Sequence, residues 1–140
     1  MKAIFNLSIL TFLLTAASSQ CFAMMSIAHV PKERAKELGM EIRAKANGPN
    51  EVWVELEFKT VGPLKDFSHV SLEIRDEKKL LLGYTALREK RTDSGSVVVT
   101  FMANRAYLEK ITLSVVVGKP MDIAGYELRV KDFIEPEKVR

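Results

Sequence analysis

The chain has 140 residues, with 21 basic and 18 acidic side chains, a formal net charge of +3, two histidines and one cysteine. So even a balance excludes an argument from charge for nucleic acid or an anionic membrane as partner. A lone cysteine excludes an internal disulfide. The length suits one domain able to enclose its own core.

Residues 1–23 read as a secretory signal peptide. Lys2 is the only charge, an apolar run follows from Ala3 to Leu14, and the segment closes on the small and polar "TAASSQCFA". The run is broken by Asn6 and Ser8 and is shorter than the roughly 20 residues of a membrane-spanning helix. Cleavage after Ala23 places Cys21 and Ala23 at the two small-residue positions and makes Met24 the first residue of the mature chain; a cut after Ala17 is the competitor. Lipid attachment at Cys21 is the weaker reading. Gln20 is large for the position before a lipidated cysteine, and Ser18 stands where leucine is usual. The expected product is periplasmic or extracellular, free of cysteine, and without a transmembrane segment. Disulfide, thiolate and cysteine–metal chemistry would all be absent.

Residues 24–39 form an N-terminal segment with one short helix expected within 28–39. Pro31 suits a first helical position, Ala35 and Leu38 share a face, and Gly39 is a stop. From Met40 the period becomes two. Met40, Ile42, Ala44 and Ala46 alternate with Glu41, Arg43 and Lys45. After the turn "NGPN", Val52, Val54, Leu56 and Phe58 take one face and Trp53, Glu55, Glu57 and Lys59 the other. Such alternation marks half-buried antiparallel strands. It recurs in "HVSLEIR" and "YELRVKDF". "LLLGYTAL" is apolar on both faces, which suggests a central strand or one beneath a loop. "SVVVTFM" and "ITLSVVV" complete the set, with "GKPMDIAG" as the loop before the last strand.

The expected fold is all-β: an antiparallel sandwich of about seven strands over residues 40–134, of immunoglobulin or fibronectin type III kind, with one short N-terminal helix and a polar tail at 135–140. Tyr107, just before the strand at Ile111, is a candidate tyrosine corner. The outward charges alternate in sign and read as a wettable sheet surface.

Candidate chemistry is sparse. His29 and His69 are the only histidines, and no nucleophile elbow, zinc-protease helix or phosphate loop occurs. A carboxylate-pair hydrolase is the residual enzyme reading, and a non-enzymatic protein with no cofactor is expected. Met24, Met25 and His29 compose a thioether and imidazole set suited to Cu(I), the basis of a small-ligand or copper-carrier alternative. Trp53, placed by parity on a charged face, is a candidate contact for a sugar ring or a protein. Arg88, Lys90 and Arg91, within "REKR", form the densest basic cluster and read as a solvated hairpin tip or as a site for an acidic polymer. Together these features point to an exported interaction module whose partner is an envelope protein or a polysaccharide, bound through loops or an edge strand. Its oligomeric state is left open.

Overall fold

The computed structural model describes residues 26–119 and 121–134. The signal-peptide reading, its cleavage residues Cys21, Ala23 and Met24, the candidate ligand Met25, and the tail at 135–140 lie outside the described residues.

Nine strands form two sheets. Sheet A contains β1 (Ser26–His29), β4 (Phe67–Arg75), β5 (Leu81–Leu87), β8 (Ile111–Lys119) and β9 (Asp122–Arg129), in the order β1-β9-β8-β4-β5. Sheet B contains β2 (Glu41–Ala46), β3 (Glu51–Lys59), β6 (Glu89–Arg91) and β7 (Ser96–Asn104), in the order β2-β3-β7-β6. The two inner faces make one core. Sheet B contributes Ile42, Val52, Val54, Leu56, Phe58, Val97, Val99 and Phe101; sheet A contributes Val70, Leu72, Leu113, Val115, Val117 and Leu128. This is an all-β sandwich, as the period-two patterning requires. Phe58 and Phe67 meet edge-to-face across the layers, ring centres 5.1 Å apart. That is the arrangement aromatic quadrupoles favour. Among the described residues, no helix is long and apolar enough to cross a membrane.

The strand count exceeds the expected seven because two short strands carry no legible period. β1 has four residues, all exposed, and pairs in parallel with β9, from Ser26↔Ala124 to His29↔Glu127. The expectation of a wholly antiparallel sandwich is therefore corrected by one parallel pair. β6 has three residues and pairs with β7 from Glu89↔Val99 to Arg91↔Val97. The helix α1 (Lys32–Glu37) is shorter than expected. Pro31 is its N-cap with extended backbone, not its first residue, because residues up to Val30 are drawn into or beside the parallel pair. Ala35, fully buried, fastens α1 to the core.

The last hairpin is tighter than expected. Strand β8 runs to Lys119 and β9 begins at Asp122, paired as Lys119↔Asp122, so most of "GKPMDIAG" is strand. Gly118 makes this possible. Its φ is +120°, and a Cβ there would lie 2.0 Å from the Asp122 carbonyl oxygen, so only glycine fits. Tyr107 is no tyrosine corner. It sits 48% exposed in the 3-10 turn Arg105–Lys110, where Leu108 is the buried side chain.

Candidate partner-binding edge

The segment expected at the centre of a sheet or beneath a loop lies exposed at a sheet margin. β5 pairs with β4 on one side, from Val70↔Leu87 to Ile74↔Gly83 and Arg75↔Leu81, and is the last strand of sheet A on the other. Leu80, Leu81, Leu82 and Tyr84 are 61, 52, 60 and 57% exposed. The correction has a physical cause. An apolar run on both faces of a strand fits the middle of a sheet and also an edge awaiting a partner, and periodicity does not separate the two. β8 is the run that does lie centrally: every residue from Ile111 to Val117 is buried.

Local sequence fixes β5 in place. The β4–β5 turn is closed by Asp76, whose N–H donates to the Leu80 carbonyl and whose carboxylate accepts from the Leu80 N–H at 2.8 Å. Lys79 adopts positive φ (63°) there, and Arg75 donates to the Lys79 carbonyl and, through Nε, to Glu73 at 2.9 Å. At the far end the chain leaves sheet A after Leu87 and crosses into sheet B as β6. Between these ends lie seven residues, Leu81–Leu87, about 23 Å of strand with its outer row of backbone N–H and C=O groups unpaired by the sheet. No residue from Leu80 to Leu87 is charged and none is proline. A register shift at Ile74/Arg75 skips Leu82.

Two other edges carry a protection that β5 lacks. β6 is short. β2 is lined by Glu41, Arg43 and Lys45 on its outer face. There Arg43 donates to Glu55 at 2.8 Å, to Glu41 at 3.3 Å, and to Glu57. Hydrogen bonds donated to Glu55 and Glu57 raise the Arg43 pKa above its ordinary value. Charged or very short edges resist pairing with another chain; β5 has neither device.

The residues singled out from the sequence are dispersed. Trp53 does lie on the outer face of sheet B, 43% exposed, between Lys45 and Met102 in the cross-strand row. Met102 is 52% exposed, and its sulfur accepts from Asn47 Nδ2 at 3.0 Å. The basic cluster is exposed and lies on the arm leading into the β6–β7 turn at residues 92–95, not at the tip itself. Lys90 and Arg91 belong to β6 and point to opposite faces of sheet B, and the Arg91 guanidinium lies 6.0 Å from the Phe67 ring centre at the rim of the core. Arg88, in the crossing between the sheets, is exposed. His29 accepts at Nε2 from Arg129 at 3.1 Å, while Arg129 Nε donates to Asp132 at 2.9 Å. The imidazole lone pair that would bind a metal is thus turned to a cation. Among the described residues, no group of three or more His, Cys, Asp or Glu side chains is placed to hold a metal ion.

A concavity of about 650 Å³ lies on the outer face of sheet A, lined by His29, Arg75, Glu109, Lys110, Glu127 and Arg129 among others. Its lining mixes both signs, so it selects neither an anion nor a cation. Residues of the β5 edge escaped the sequence reading because their one signal, eight uncharged residues between two charged turns, matches a core strand equally well. Comparison with known family models, with curated proteins and with solved structures found no match for this chain.

Proposed function

We propose that the chain is an exported, non-enzymatic sandwich module of immunoglobulin-like topology that binds another protein of the cell envelope along β5. The topology reading is supported by strand order: β2, β3, β7 and β6 stand in the order of strands A, B, E and D, and β9, β8, β4 and β5 in that of G, F, C and C′. The binding reading rests on one observation, the long uncharged edge strand with three exposed large apolar side chains, Leu81, Leu82 and Tyr84, next to a fourth at Leu80. An extended segment added there gains main-chain hydrogen bonds, and its alternate side chains meet Leu81, Leu82 and Tyr84. Single exposed apolar residues need no explanation, but a contiguous exposed set marks an interaction site.

The reading is tested by cross-linking tagged protein in intact envelopes and identifying adducts by mass spectrometry. Wild type should give a discrete adduct that Leu82→Lys removes, while circular dichroism shows the variant folded. An adduct pattern unchanged by Leu82→Lys would overturn it. The polysaccharide reading is favoured only by Trp53 beside Met102 on the outer face of sheet B. It requires that Trp53→Ala abolish retention on envelope glycans without loss of fold.

A further inference from the structure

The turn joining β2 to β3 reads Asn-Gly-Pro-Asn over residues 47–50, and all four are exposed. It is closed by the Asn47 N–H, which donates to the Glu51 carbonyl at 3.0 Å. We infer that Asn47 is a modification site. Its side-chain amide is lost spontaneously in the folded chain, by attack of the Gly48 backbone nitrogen, and the change releases Met102 from the turn. Nothing in this depends on β5 or on what binds there.

The attacking nitrogen is open. Gly48 has φ +84°, and a Cβ built on it would meet no atom within 4 Å. Among the described residues its N–H donates to no group. Nitrogen and carboxamide carbon belong to adjacent residues, so the attack is intramolecular and has a high effective concentration. The other described asparagines lack this freedom. Asn50 is followed by Glu51 and Asn104 by Arg105, both with long side chains. The Arg105 N–H is engaged with the Asn50 carbonyl at 2.8 Å, and Asn104 Oδ1 accepts from the Ala106 N–H at 2.9 Å. The amide that leaves also has a structural task. Asn47 Nδ2 donates to Glu51 Oε2 at 3.2 Å and to Met102 Sδ at 3.0 Å, and Met102 is the cross-strand neighbour of Trp53.

Water is the only co-reactant the step needs. The Gly48 nitrogen gives its proton to solvent and bonds to Asn47 Cγ; the Cγ–Nδ2 bond breaks, and Nδ2 takes up a proton and leaves as ammonia. Water then opens the cyclic imide. Opening at Cγ gives aspartate at position 47, and opening at the main-chain carbonyl gives isoaspartate, with the backbone rerouted through Cγ. Aspartate puts an acceptor-only carboxylate against the Glu51 carboxylate and the Met102 sulfur, both acceptors themselves. Isoaspartate has no side-chain amide there at all. Either way Met102 loses its donor.

The test incubates the folded protein at mildly alkaline pH and follows each asparagine by peptide mass spectrometry, with fluorescence read alongside. Trp53 is the only tryptophan, so emission reports the surroundings of Met102. Asn47 should convert from amide to acid, faster as pH rises, while Asn50 and Asn104 keep their amides. An isoaspartyl methyltransferase should label the product, and Trp53 emission should shift in step with conversion. Asn47→Asp should show the shifted emission from the start, and Asn47→Gln should keep its amide over the same period. An Asn47 amide retained in the folded chain but lost in denaturant would overturn the inference, because the turn would then hold carbon and nitrogen apart. Equal conversion at all three asparagines overturns it too, as does a Trp53 emission that conversion leaves unchanged.

Discussion

The β2 and β5 margins are both sheet edges, yet they are built in opposite ways. β2 alternates Ile42, Ala44 and Ala46 toward the core with Glu41, Arg43 and Lys45 outward, and Arg43 is held by three carboxylates. β5 exposes Leu81, Leu82 and Tyr84 with no charge along its length. An edge that must stay single is given charge; an edge without charge costs the protein protection against mispairing. This difference is what the proposed partner-binding role of β5 rests on.

This contrast holds only if substitutions at β5 act on association and not on the fold, which a graded set of variants checks by denaturant unfolding. The largest effect belongs to the core that both edges share. Phe58→Ala removes a side chain 1% exposed that packs on Phe67 and should cost about 3–5 kcal/mol. Gly118→Ala comes next, at roughly 3 kcal/mol, because the added Cβ collides with the Asp122 carbonyl and φ is left-handed. Trp53→Ala, at a half-exposed position beside Met102, should cost about 1 kcal/mol and leave the fold intact. A loss of several kcal/mol would instead place Trp53 within the core. Leu82→Lys, at a position 60% exposed, should change stability by less than about 0.5 kcal/mol while removing association. A destabilisation as large as that of Phe58→Ala would break the comparison. Arg43→Leu should lower the thermal midpoint only slightly, since the three ion pairs it loses are solvent-exposed. Its effect should appear as concentration-dependent light scattering, since the guard on β2 is gone.

The sequence made legible whatever depends on near neighbours. Val52, Val54, Leu56 and Phe58 alternate with polar residues, and each is buried as that parity demands. The same parity places Trp53 outside. What escaped depends on residues far away in the chain. "LLLGYTAL" and "ITLSVVV" are both apolar runs, but Ile111–Val117 is flanked by β4 and β9 whereas Leu81–Leu87 has β4 alone. Nothing within either run states how many neighbours it will have. β1 is a strand only because β9, about a hundred residues on, accepts it in parallel, and a four-residue segment has no period to read. "REKR" lies beside the turn "TDSG" as its composition suggests, but its pairing as a strand with Val97–Val99 is invisible to composition.

The central claim, that β5 is kept free for a partner while β2 is not, is most directly tested by site-specific photo-cross-linking in living cells. A photoreactive residue at Leu82 should yield one discrete adduct, and the same residue at Lys45 on β2 should yield none. No adduct at Leu82, or the same adducts from both positions, would contradict the account.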